Sequence, residues 1–294
     1  MSNAHALATP VHDDPATLAG VAFVKMSGSG NDFVFFDGRT APINALILPQ
    51  VIRSICNRHN GIGADGIVIL SPESGDADVR IDYFNSDGTA ADLCGNASLC
   101  STVMAADLGL APPSGMAMRT PAGILRSEIA DGIPRIALPS VHDIRLELAI
   151  DPMETELRIG YSVVGVPHLV VLCADAEAAP LMERGPELRH HVAAGPAGAN
   201  VNWVSPRADG SWRYRTFERG VEGETLACGT GAVATAILLA SWGLAASPVS
   251  ILTSSGRQLR VAFSDSHDWA NGIHPTLEGE GRVVFRGHMA TLTV

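Results

Sequence analysis

Residues 92–110, DLCGNASLCSTVMAADLGL, and residues 226–244, LACGTGAVATAILLASWGL, are two copies of one pattern. At an offset of 134 positions Cys94 falls on Cys228, Gly95 on Gly229, Asn96 on Thr230, Gly109 on Gly243 and Leu110 on Leu244. Each copy opens on Cys-Gly and runs on without charge, from Leu93 to Ala106 and from Leu226 through Leu244. Both runs predict a helix beginning at the cysteine. A helix at the surface shows a polar face; these have none and must be wrapped by protein on nearly all sides. A helix inside a rolled sheet, once per half, meets that demand. The predicted fold class is therefore α+β (mixed α/β): two pseudo-symmetric half-domains, each a rolled, mostly antiparallel sheet around a central buried helix.

The flanking segments repeat in the same order. Residues 21–37 (VAFVKMSGSGNDFVFFD) read as strand, Gly-rich turn at 28–31, strand, and residues 161–175 (YSVVGVPHLVVLCAD) resemble them. Residues 41–59 carry apolar positions at helical spacing and predict a helix that stops at Arg58-His59-Asn60-Gly61. Strands are predicted at 65–70, 78–84, 201–206 and 212–220, hairpins in 117–138, and partial helix in 176–193. A Thr-x-x-Gly turn follows each block, at Thr120–Gly123 and Thr253–Gly256. The predicted organisation is a flexible tail over 1–20, an N-terminal half over 21–140 completed by a last strand within 281–294, and a C-terminal half over 141–280.

Composition narrows the function classes. A net charge of −11 argues against nucleic acid or an anionic membrane as partner, since both need a basic surface, but leaves a small anionic substrate open. No uninterrupted apolar run reaches the ~18 residues of a membrane span, and residues 1–20 lack the basic start and apolar core of a secretory signal. Cysteines at 56, 94, 100, 173 and 228 are odd in number, and neither C-x-x-C nor H-E-x-x-H occurs. This predicts a reduced, cytoplasmic protein without a zinc site. Lys25 is the only lysine among 20 basic side chains, and it falls inside a predicted strand. A pyridoxal phosphate enzyme needs a Schiff-base lysine, so amino-acid chemistry here is expected to run without a cofactor.

A thiol at a helix N-terminus faces unpaired backbone N–H groups and the positive end of the helix dipole, both of which favour the thiolate. Cys94 and Cys228 are each predicted to sit there with a lowered pKa. The amides of Gly95–Asn96 and Gly229–Thr230 suit a substrate carboxylate held between two helix ends. One sulfur takes an α-proton as thiolate, and the other returns one from the opposite face. That is the chemistry of a cofactor-free racemase or epimerase. Cys56, Cys100 and Cys173 read as core residues, and His190-His191 as a solvated helix end.

The segments MSGSGNDFVFFD (26–37), GIGADG (61–66), FNSDGTAADLCGN (84–96), GVPH (165–168), GANVNWV (198–204) and ERGVEGETLACGTGA (218–232) together resemble the diaminopimelate epimerase family. The resemblance implies a pyridoxal-independent isomerase that interconverts LL- and meso-diaminopimelate in lysine and peptidoglycan precursor synthesis, often as a homodimer. It implies Cys94 and Cys228 as the acid–base pair, with His168 and Glu218 setting their protonation. It also implies that Gly95, Asn96, Gly229 and Thr230 hold the carboxylate at the reacting carbon. Asn31, Asn85 and Asn200 would contact substrate, Glu218 the reacting amino group and Arg219 the distal carboxylate. The chain departs from the family pattern at Ser27, Ala97, Leu99, where an arginine is usual, and Val166, where an asparagine is usual. Those departures keep two alternatives open: a racemase of another amino acid on the same scaffold, and a catalytically silent binding homologue.

Overall fold

The structure, a computed structural model, describes residues 18–91, 93–264 and 272–290. Most of the predicted tail, and residues 291–294 of the predicted last strand, lie outside the described residues. In chain order the strands are β1 (Ala22–Gly28), β2 (Asn31–Asp37), β3 (Gly66–Pro72), β4 (Val79–Asn85), β5 (Ala90–Ala91), β6 (Met116–Thr120), β7 (Gly123–Ala130), β8 (Ile133–Ala137) and β9 (His142–Arg145). Then follow β10 (Glu156–Val164), β11 (Val166–Cys173), β12 (Asn200–Pro206), β13 (Trp212–Glu218), β14 (Gly223–Thr225), β15 (Val249–Leu252), β16 (Gln258–Ala262), β17 (Thr276–Glu278) and β18 (Arg282–His288). The helices are α1 (Ile43–Leu46), α2 (Pro49–Cys56), α3 (Gly95–Asp107), α4 (Leu181–Arg189) and α5 (Gly229–Ser241).

The two quoted blocks are α3 and α5, each of 13 residues and nearly superposable in their ends. Cys94 caps α3 at φ −132°, ψ 117°, and Cys228 caps α5 at φ −134°, ψ 112°. Both stop the same way. Gly109 (φ 65°) and Gly243 (φ 73°) take the left-handed conformation that only glycine adopts without strain. Leu110 N–H then reaches back to Ala105 O, and Leu244 N–H to Leu239 O, at 2.9 Å each, the glycine-terminated stop that satisfies the last carbonyls.

Strand pairing repeats between the halves, at the same offset for β4 with β6 and β13 with β15. β2 runs parallel to β3, and β11 to β12. β4 runs parallel to β6 with Val79 opposite Met118, and β13 to β15 with Arg213 opposite Leu252. The other pairs are antiparallel. β8 pairs with β17, Ile136 opposite Leu277, and β9 with β10, Arg145 opposite Tyr161, so the described strands of both halves join in one sheet; β18 returns to β1, Ala22 opposite His288. α3 packs against β1, β3, β7 and β8, and α5 against β10, β11, β12 and β16.

The uninterrupted apolar run Phe33–Phe36 follows from this layering. Phe33 and Phe35 join the core around α3, whereas Val34 and Phe36 face the second layer made by α1 and α2. A strand covered on both faces loses the polar alternation of a half-buried one. β11 does the same, with Val170 and Leu172 inward and Leu169 and Val171 under α4. One prediction is corrected: residues 41–59 form two short helices. Leu48 is extended (φ −67°, ψ 127°) because Pro49 follows it, and Pro49 then opens α2 as its first residue. Leu99 is fully buried against Gly279, where an added Cβ would lie 2.9 Å from its Cδ1. The leucine in place of the usual arginine is thus a core side chain. Among the described residues, no helix is long and apolar enough to cross a membrane.

Candidate active site

The sheet brings the starts of α3 and α5 into contact. A Cβ added at Gly95 would lie 3.6 Å from Gly229 Cα, and one added at Gly229 would lie 3.5 Å from Gly95 Cα. Leu277 on β17 closes one side, 3.3 Å and 2.9 Å from those same two positions. With glycine at both positions the two helix N-termini share one spot, free of side chains between them, and their amides converge there.

The thiols stand at its edges. The backbone N–H groups of Ala97 and Asn96 lie near Cys94 Sγ, which makes no capping hydrogen bond to the helix. The Gly231 N–H lies near Cys228 Sγ, which makes no capping hydrogen bond to the helix and stands 3.6 Å from Thr230 Oγ1. These donors lower the thiol pKa values, as the sequence predicts, but a larger effect wins. Burial pushes Cys94 up to about 11 and Cys228 up to about 12, and the nearby Glu218 adds to both. Taking a thiolate out of water costs more than the helix amides return. The expected lowering is corrected: both sulfurs rest as neutral thiols at pH 7.

Glu218 closes β13. Burial raises its pKa, against a 2.6 Å hydrogen bond from Thr225 Oγ1. Asn96 Nδ2 donates to Asn31 Oδ1 at 2.5 Å, and Asn31 Nδ2 donates to Asp65 Oδ2 at 3.1 Å. Asn96 Oδ1 is buried with no partner among the described residues. Asn200 Oδ1 accepts from Arg219 N–H at 2.8 Å, while the Arg219 guanidinium makes no ion pair with any described residue. Asn85 lies at the end of β4, opposite Gly66, its Nδ2 donating to Thr89 Oγ1 at 3.1 Å. The second Thr-x-x-Gly turn touches the first half here: Ser255 Oγ donates to Ser29 O at 2.5 Å, across 226 residues of chain.

His168 is fully buried on β11, opposite Asn200. Asn202 Nδ2 lies 3.3 Å from its Nδ1, which makes Nδ1 the acceptor and Nε2 the protonated nitrogen. That Nε2 has no partner among the described residues. Asn202 Oδ1 takes the Tyr214 hydroxyl at 2.8 Å, and Tyr214 in turn reaches Cys228 O at 3.4 Å. Sequence reasoning missed Asn202, Tyr214, Thr225 and Asp65. The one available signal was Asn202, an amide in the apolar run VNWV, where a buried polar side chain needs partners.

Burial, and secondarily the Arg219 charge, pull the His168 pKa down to about 3. An unfolded histidine titrates near ~6.5. Between those values the unfolded chain binds a proton that the fold refuses, so stability falls as pH drops through that window. The expected slope is up to ~1.4 kcal/mol per pH unit. Urea unfolding at pH 6.5 and 5 should show this loss, reduced in His168→Gln. Equal losses in the two proteins would refute the assignment.

Residues 23–136 and 161–270 match the Diaminopimelate epimerase family. The chain belongs to that family. A diaminopimelate epimerase from Gemmatimonas aurantiaca is 60% identical over 279 residues, covering 92% of this chain and 100% of that protein. One from Aquifex aeolicus is 36% identical over 252 residues, covering 83% and 90% respectively. Among solved structures, a phenazine biosynthesis protein of the PhzF family from Bacillus anthracis superposes with a TM-score of 0.72 at 15% identity, over 92% of this chain and 98% of that one. At that identity the likeness shows the shared fold alone.

Proposed function

We propose that the chain interconverts LL- and meso-2,6-diaminopimelate by moving a proton between Cys94, the α-carbon and Cys228, without a cofactor. The chain is an isomerase of the diaminopimelate epimerase family. The observation that carries the mechanism is the pair of abutting helix starts, each capped by a cysteine.

The α-carboxylate sits on the amides of Gly95–Asn96 and Gly229–Thr230. Charge that develops when the α-proton leaves spreads into that carboxylate, and preformed N–H donors stabilise it there. One sulfur removes the proton and the other delivers one to the opposite face. The resting thiols are neutral, so substrate must help to ionise one. Its ammonium, placed beside Glu218, offsets the Glu218 charge, which adds to the burial that raises both thiol pKa values. His168 supplies the neutral Nε2–H, and Arg219, unpaired among the described residues, takes the distal carboxylate. Asn31, Asn85 and Asn200 frame the rest. Leu99 lies in the core, so that departure does not bear on substrate choice.

The same reading places the enzyme in the cytoplasm, in lysine and peptidoglycan precursor synthesis, with neither nucleic acid nor membrane as a partner; its five cysteines are all free thiols. It also makes the protein a homodimer. Val284 and Phe285 on β18, which among the described residues pairs with β1 alone, are each 45% exposed, an apolar strand edge suited to a second copy. Sedimentation as a monomer would refute the dimer. The activity is tested by incubating LL-diaminopimelate with reduced enzyme and separating the stereoisomers. Meso product is expected, and none from folded protein would contradict the assignment.

A further inference from the structure

Behind the substrate-facing amides lies a cluster of four charges. Asp65, in the turn before β3, accepts the Asn31 side-chain amide and the Asp32 backbone N–H on Oδ2, both at 3.1 Å, and Arg58 on Oδ1 at 2.7 Å. Asp32 pairs with Lys25 at 2.7 Å and with Arg58 at 2.7 Å. Burial opposes ionisation of Asp32, but hydrogen bonds from Arg58 and Lys25 outweigh it and hold its carboxyl below the usual range. Lys25, the only lysine, is itself buried and donates to Gly63 O. The four charges alternate and sum to zero. Asp65 O also accepts the Ser86 N–H at 2.9 Å, next to Asn85.

An asparagine amide can present either its oxygen or its nitrogen to a site. Asp65 accepts only, so Asn31 Nδ2 must face it and Asn31 Oδ1 must face α3. Asn31 Oδ1 then accepts only, so Asn96 Nδ2 must face it. What remains is Asn96 Oδ1, buried and unpartnered, in a residue only 2% exposed at the meeting point of the helices. The orientation of two amides is thus set by one carboxylate outside the site.

We propose that Asp65 is a positioning residue that fixes Asn31 and, through it, Asn96, so that Asn96 Oδ1 presents a ready acceptor to an N–H of the bound amino acid. This rests on the reading of the site given above. Asp65→Asn removes the constraint, because an amide at 65 satisfies Asn31 in either orientation. It also leaves Arg58 with one carboxylate instead of two. KM for LL-diaminopimelate should rise about tenfold or more, the worth of one charge-assisted hydrogen bond, with kcat changed far less.

A second readout follows from charge. Cys94 faces Glu218 on β13, Tyr83 on β4, Cys228 at the start of α5, Cys100 on its own helix, and Asp65. Removing the Asp65 charge makes a thiolate at Cys94 easier to form, so the acid limb of kcat/KM should move to lower pH. Arg58→Lys keeps the charge and loses the forked contact with both carboxylates; it should raise KM about threefold and leave the acid limb in place. The assay begins with the unmodified enzyme, whose failure to form meso product would refute the functional reading itself. With that enzyme active, a folded Asp65→Asn with KM within twofold and an unmoved acid limb overturns the positioning role alone. Should Asp65→Asn not fold, an unchanged KM in Arg58→Lys overturns it equally.

Discussion

Cys94→Ser and Cys228→Ser should each lower kcat by about a hundredfold to ten-thousandfold, the range of a positioned acid or base, whereas Cys56→Ser and Cys173→Ser should keep most of the activity. The contrast does not come from thiol acidity. Burial pushes Cys56 up to about 12 and Cys173 up to about 11, values like those of the site pair. Placement separates them. Cys56 ends α2 in the layer outside β2 and β3, and Cys173 lies under α4 with its thiol turned to Val204 O at 3.5 Å. Only Cys94 and Cys228 stand where two sets of helix amides converge and where Glu218 acts on both sulfurs. Serine keeps the shape but has a far less acidic hydroxyl, so the fold should survive and the proton transfer should not. Steady-state rates with near-UV circular dichroism as the folding control would test this. Comparable rates in all four variants would sink the two-thiol assignment.

Arg184→Ala should destabilise the fold by roughly 3–5 kcal/mol, the cost of removing one partner of a buried ion pair. Arg184 on α4 and Glu156 on β10 have side chains only 7% and 2% exposed, and they meet at 3.1 Å. The guanidinium also donates to Asp151 O at 2.7 Å and to Glu187 at 2.6 Å. Without it, the Glu156 carboxylate keeps, among the described residues, the Met153 N–H alone, at 2.9 Å, and stays buried and uncompensated. The pair Arg184→Met with Glu156→Leu should recover most of the loss, because no charge is then left unpaired. Urea unfolding reads both. A loss below about 1 kcal/mol in Arg184→Ala, which is the range of an exposed pair, would show that water reaches Glu156.

Much of the fold is legible in local pattern. Two charge-free runs at one offset announce α3 and α5, because a helix without a polar face has to be enclosed. The glycines at 109 and 243 mark their ends, and the run Phe33–Phe36 marks a strand covered on both faces. The break before Pro49 was also legible, since proline forces its predecessor out of the helix; apolar spacing across 41–59 masked it. The candidate site could be proposed from the sequence as a set of residue types but not as an electrostatic environment. A helix N-terminus argues for a lowered thiol pKa, and only the packed structure shows that enclosure outweighs it at Cys94 and Cys228. The Asp65 cluster was hidden for another reason. Asn31 and Asp65 are 34 residues apart and Asn31 and Asn96 are 65 apart, so no periodicity connects them. The Leu99 change pointed toward substrate choice when read as sequence, and its burial against Gly279 turns it into a packing residue.

The central claim is that two different sulfurs serve the two faces of one carbon. It is tested most directly by following LL-diaminopimelate in deuterium oxide by NMR during the first few per cent of reaction. With two bases, the thiol that donates has already exchanged with solvent. Newly formed meso product should therefore carry deuterium at the inverted carbon, while the remaining LL substrate stays protiated there. Product that retains the original hydrogen, or substrate and product that label at the same rate, would contradict the two-thiol account.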